Sequence, residues 1–178
     1  MKQFLIVFST VFLLGGSVNK ESLVIIDKVI HNEGGYNNDA LDMGGETKYG
    51  ISKRFYPHLN IEYLTLEKAK QIYYEDYWIP AKVNKLPYNL RYPYFDCVIN
   101  TGQKRAVKIL QEAINSQSVA QLDVDGIIGP KLKAAKSVSP KRFSAYRVDF
   151  YSKLVAHKPE QKRFYYGWWL RTLETING

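Results

Sequence analysis

A helical period that runs into a pair of glycines sets the frame for this chain. From Glu21 to Asn32 the apolar residues Val24, Ile25, Ile26, Val29 and Ile30 recur at i, i+3 and i+4, with Asp27, Lys28 and His31 between them. That spacing predicts an amphipathic helix. Gly34 and Gly35 follow, and glycine takes the left-handed conformation that stops a helix. Glu33, just before the stop, is therefore expected at a helix C-terminus. From Tyr36 to Gly50 the sequence is rich in Asn, Asp and Gly. This predicts turns and a short hairpin that would present side chains to a cleft.

Helical patterns dominate the remainder. Ser52 is expected to cap a short helix ended by Pro57, and Thr65 a longer one through Trp78, with Leu66, Ala69, Ile72, Tyr73 and Tyr77 as its buried stripe. Pro80, Pro87 and Pro93 punctuate a connector, taken as the boundary between two lobes. Phe95 to Asn100 and Arg105 to Ile114 read as helical pieces hinged at Thr101-Gly102. Further helices are expected from Lys131 to Lys136 behind Gly129-Pro130, from Lys141 to His157, and from Gln161 to Ile176. A chain of 178 residues buries one good core or two small ones. The expectation is a mainly α unit: a leader over 1–20, a first lobe over 21–92 and a helical second lobe over 93–178.

The net charge of +8 is unevenly placed. Residues 1–97 carry eleven basic and eleven acidic side chains, whereas residues 98–178 carry fourteen and six. A basic half suits a polyanionic partner such as cell-wall polymer, an anionic membrane surface or nucleic acid, and equally a surface tuned for solubility. No zinc, helix-turn-helix or ribonucleoprotein signature accompanies the charge, so nucleic acid is not expected as a partner. The aromatic share of 14% excludes a disordered chain and suits ring stacking on sugars, although most such rings belong to cores.

Phe4 to Val18 is an uncharged, mostly apolar run behind Lys2, shorter than the ~20 residues that span a bilayer comfortably. It fits a secretory signal with small residues Gly15 and Ser17 at the cleavage site. It equally fits a weak signal-anchor, with Ser9, Thr10, Gly15 and Gly16 easing its withdrawal from the membrane; the competing reading is a buried N-terminal helix. Membrane association is thus expected through residues 4–18, and the protein is expected in the periplasm, on the inner membrane before release, or outside the cell. Cys97, the one cysteine, permits no internal disulfide and is expected in the core. His31, His58 and His157 lie too far apart for a zinc set. Leu122 to Gly126 begins like a calcium loop but offers Ala134 where a bidentate Glu is required. Neither metal nor cofactor is expected.

The carboxylates carry the chemistry. Cleaving a sugar acetal needs an acid that holds its proton until it reaches the leaving oxygen. At a helix C-terminus Glu33 meets the negative end of the macrodipole, and Ile30 and Tyr36 are expected to desolvate it, both favouring the protonated form. Asp42 can stabilise oxocarbenium-like charge or orient water, and Thr47 can hydrogen-bond that water. Tyr36 and Tyr49, flanking the acid and the turn, are candidate platforms for sugar faces. Each has a plain alternative: a glutamate before a glycine stop, turn residues capping amides, core rings.

The constellation Glu33-Gly34-Gly35-Tyr36, five intervening residues, Asp42, Gly44-Gly45, Thr47 and Gly50-Ile51 resembles the signature of the glycoside hydrolase 108 family. These are N-acetylmuramidases found as phage endolysins and bacterial secretion-activator proteins. The resemblance continues through Ile72-Tyr73, Tyr77-Trp78, Phe95-Asp96, Asn100 to Gly102, Asp125 to Pro130, Tyr151, Lys158-Pro159 and Phe164 to Leu170. It spans residues 22 to 175. The later segments are similar to the family's C-terminal peptidoglycan-binding helical region. Met43 departs from the Pro often found there, and Ile79 from the usual acidic residue.

The resemblance implies a lysozyme-like fold with Glu33 as catalytic acid and cleavage of the β-1,4 bond between N-acetylmuramic acid and N-acetylglucosamine. Asp42 and Thr47 fall near the acidic and threonine members of the phage-lysozyme arrangement, with a gap one residue shorter. A monomer acting on peptidoglycan is expected. The competing readings are a non-catalytic wall-binding or secretion-accessory protein, and a lytic transglycosylase, which also needs a single Glu.

Overall fold

The structure is a computed structural model describing residues 19–33, 35–37, 45–119 and 121–176. The apolar leader at 4–18 lies outside the described residues. No helix among them is long and apolar enough to cross a membrane.

Helix α1 runs from Lys20 to Glu33 and buries Ser22, Ile25, Ile26, Val29 and Ile30 along one stripe. Asn19 caps it, its side-chain oxygen accepting from the amides of Glu21 and Ser22, which satisfies two amides that would otherwise lack partners. Glu21 pairs with Arg91, whose Nη1 lies 2.6 Å from Oε1, tying the start of α1 to α3 (Tyr88–Thr101).

Beyond α1 the chain returns as a hairpin. Strands β1 (Thr47–Lys48) and β2 (Ile51–Ser52) pair antiparallel, Thr47 opposite Ser52 and Lys48 opposite Ile51. Tyr49 and Gly50 form the two-residue loop, both at positive φ (53° and 75°). Positive φ at both central residues marks the type I′ turn, whose twist matches paired strands. Asn37 bridges to Thr47 through two 2.8 Å backbone hydrogen bonds, so the hairpin is laid against the segment leaving α1. Ser52 belongs to β2 and caps no helix. The expected short helix is instead a set of turns, in which the Ser52 carbonyl accepts from the amides of Phe55 and Tyr56; Pro57 leaves too little length to nucleate a helix.

Thr65 does cap α2 (Leu66–Ile72), accepting from the Lys68 amide at 3.2 Å. The expected helix through Trp78 forms but widens to a π-helix over Tyr73–Trp78. In this wider turn residues five apart approach one face, and both Tyr73 and Trp78 are buried. Of the expected stripe, Ala69, Ile72 and Tyr73 are buried, and Leu66 and Tyr77 are partly so.

Helix α3 begins well before the expected Phe95. Pro93 falls inside it and not in a connector. A proline there gives up a backbone donor, yet every residue from Tyr92 to Val98 is buried, and packing on all sides outweighs the local preference. This central helix touches α1, the π-helical turn, α4 (Gln103–Asn115) and α5 (Pro140–His157). Gly102, at φ 82°, makes the expected hinge between α3 and α4. The segment expected as a helix over 131–136 is a 3₁₀ stretch, Pro130–Ser137, and α6 spans Lys162–Glu174. Cys97 is fully buried, as expected. Of the two adjacent tryptophans, Trp168 stacks on Tyr151 at 4.9 Å while Trp169 is 40% exposed, the split that neighbouring positions on a helix impose.

Candidate active site

Glu33 ends α1, and three elements distant in sequence close around its side chain. The tip of the hairpin is the first. A methyl group placed on the Cα of Gly50 would lie 3.1 Å from both Cβ and Cγ of Glu33 and would collide with the Tyr73 hydroxyl. Gly50 therefore works twice, supplying the positive φ of the turn and the close approach to the acid's stem.

The π-helical turn is the second. The Tyr73 hydroxyl donates to the Tyr49 carbonyl at 3.0 Å, pinning the hairpin tip to the turn. Burial first, and then the nearby charge of Glu33, push the Tyr73 hydroxyl well above the usual phenol range, so it remains a neutral donor.

Helix α6 is the third. Arg171 Nη2 lies 2.6 Å from Oε1 of Glu33 and 2.7 Å from Oδ1 of Asp96. Its Nε donates to both Asp96 oxygens at 2.8 and 3.1 Å. Asp96 is wholly buried in α3 and is also paired with Arg147 of α5, equally buried, at 2.7 Å. Arg147 Nε donates to the Tyr151 hydroxyl at 3.0 Å, and Tyr151 donates in turn to Asn100. Burial pulls the Arg171 guanidinium down, but the hydrogen bond and charge of Asp96 and the pairing with Glu33 outweigh it, and its value rises overall. Two arginines thus face two carboxylates in a charge-balanced set, which is how charges survive in an interior.

The expectation that Ile30 and Tyr36 form an apolar wall around Glu33 is corrected: the acid meets a guanidinium. Ile30 is in the core, while Tyr36 is 48% exposed and its hydroxyl donates to Glu46 at 3.1 Å. The Glu33 side chain keeps 23% of its surface open although Oε1 is buried. Thr47 lies in β1 with its hydroxyl on the Gly45 carbonyl at 3.1 Å, serving its own turn. Tyr49 contributes its carbonyl to Tyr73, and its half-buried ring packs on the core with Lys48 Nζ at 5.7 Å. Asp42 and Met43 lie outside the described residues. Among the described residues, no three His, Cys, Asp or Glu side chains gather as a metal set. Asp125 of the failed calcium loop instead accepts from Gln111 of α4 at 2.7 Å, which makes the segment a turn fastened to α4.

Sequence reasoning placed neither Arg171 nor Arg147 at the site, and it took Tyr73 only as part of a buried stripe and a resemblance and Asp96 only as part of a resemblance. Signals were present. An aspartate inside the apolar run of α3 requires a buried cation. Arg147 stands between Phe143 and Tyr151 at the i, i+4, i+8 positions of a buried stripe, where a charge needs a partner.

A mainly helical chain with a carboxylate at the end of its first helix and a hairpin folded over it has a lysozyme-like design. Residues 26–102 match the model described as Glycosyl hydrolase 108, and residues 105–173 the model described as Predicted Peptidoglycan domain. The two matches divide the chain beside the Gly102 hinge, and the first of them places it among the glycoside hydrolases. It is similar to the structure of Brucella abortus SagA, with 27% identity and a TM-score of 0.70 over 88% of this chain and 91% of that one. No curated protein matches this sequence.

Proposed function

We propose that the chain hydrolyses the β-1,4 bond between N-acetylmuramic acid and N-acetylglucosamine in peptidoglycan, with Glu33 protonating the leaving oxygen. The observation that carries this reading is the seating of Glu33: its stem is fixed by Gly50 and Oε1 by Arg171, while part of the side chain stays open. A fixed carboxyl with one open side can hand a proton to a bound acetal without searching for its orientation. In this reading Asp42 supports the oxocarbenium-like charge or orients water, with Thr47 assisting. Tyr36, with its ring half exposed, offers a sugar platform, and Tyr49 borders the site from the hairpin. The enzyme acts as a monomer, exported by residues 4–18 as a cleaved signal or a releasable anchor.

Glu33→Gln tests the assignment. The variant is expected to keep its circular dichroism and melting point while losing about 10²- to 10⁴-fold of its peptidoglycan-clearing activity; full activity would sink the role of Glu33. Mass spectrometry of the released muropeptides separates hydrolysis, which leaves reducing ends, from transglycosylation, which leaves 1,6-anhydro ends. Binding of sacculi with no fragments released by the wild type would make the chain a wall-binding protein instead. Fractionation in which newly made protein never meets the membrane would remove the anchor.

A further inference from the structure

We infer that Arg171 is a positioning residue for this reaction, so that helix α6 of the peptidoglycan-domain half completes the active site of the hydrolase half. The inference rests on the reading of Glu33 as the acid.

The geometry is a braced arm. Arg171 is held at its inner end by Nε bonds to both Asp96 oxygens and by Nη2 on Oδ1. Asp96 has little room to swing, being wholly buried and paired through Oδ2 with the equally buried Arg147. Arg147 is in turn tied to Tyr151, and Tyr151 to Asn100. The fork of Arg171 is therefore fixed before it meets Glu33, and a guanidinium immobilised in this way loses little further freedom on forming its last contact. That contact, a close ion pair of Nη2 with Oε1, holds one buried oxygen of the Glu33 carboxyl against α6 while 23% of the side chain stays open. The Asp96 pair is complete without Glu33, so this last contact is an addition that structural pairing of α6 with α3 does not require.

The test uses the 178-residue chain and soluble, un-cross-linked peptidoglycan strands, with kcat and KM measured alongside melting points. Arg171→Met is expected to lose about tenfold or more in kcat with KM within about twofold, as misorientation of a reacting group does. Arg171→Lys, which keeps the charge but not the fork, should recover only part of kcat. Activity falling only in step with the folded fraction would overturn the inference, and so would a loss confined to KM. Should Arg171→Met fail to fold, Arg171→Gln, which keeps a donor toward Asp96, is read against the same outcomes. Glu33→Gln separates the two ideas. An active Glu33→Gln defeats the acid assignment, whereas an inactive one beside a wild-type-like Arg171→Met defeats only the role of Arg171.

Discussion

Gly50 at the hairpin tip lies so close to Glu33 that a methyl group added to its Cα would sit 3.1 Å from two carbons of the acid's stem. Hairpin and acid are therefore one unit. Gly50→Ala asks a residue with a side chain to hold φ 75° and pushes on Tyr73 and Glu33 together. The positive φ costs about 1–2 kcal/mol and the overpacking about 1–3 kcal/mol. The variant should melt lower and should lose activity beyond the loss of folded protein, because the stem of Glu33 must shift. Wild-type specific activity of the folded fraction would show that the contact does not aim the acid.

Arg147 and Asp96 form a pair with no exposure on either side. Arg147→Met leaves Asp96 buried with Arg171 alone, and breaking such a pair costs about 3–5 kcal/mol. Guanidinium denaturation measures this. A change within about 0.5 kcal/mol would show that water reaches Asp96.

Buried tyrosines predict alkaline lability. Burial pushes the hydroxyls of Tyr73, Tyr94 and Tyr151 up from the ordinary phenol value, that of Tyr151 to about 12 despite the opposing pull of Arg147. In the unfolded chain these groups release protons near pH 10, while the folded chain retains them. Their stabilisation is therefore full below about pH 10 and declines above it, the Tyr151 share being lost between pH 10 and about 12. Denaturant melts on either side of about pH 10 should show stability falling by about 1.4 kcal/mol per pH unit for each such tyrosine. Tyr73→Phe should flatten the slope by one share, and an unaltered slope would contradict the assignment.

Cys97 is a buried thiol pushed up by burial, against the pull of Arg147 and its contact with Thr101. A thiol kept protonated and enclosed is a poor nucleophile. An aromatic disulfide reagent should leave the native protein untouched and titrate one thiol in denaturant. Rapid labelling of the native chain would mean that α3 opens locally.

What the sequence by itself determined is what rests on neighbours a few residues apart. The stripe of α1 and its end at Glu33, the short hairpin in the stretch that follows, the Thr65 cap and the break at Gly102 all follow from periodicity and backbone preference. Local rules failed where surroundings overrode them. Pro93 stays inside α3 because that helix is covered on nearly every side, Ser52 is claimed by a strand, and the helix at Tyr73 widens so that Tyr73 and Trp78 can both be buried. The site depended most on the tertiary structure. Glu33 was legible as a carboxyl at a helix end, but its partners Gly50, Tyr73, Asp96 and Arg171 come from four other elements. Charges meet in an interior only when the fold excludes water around them, so that Arg171 at the far end of the chain rests on Glu33 near its beginning is a property of the packed molecule and of no local stretch of its sequence.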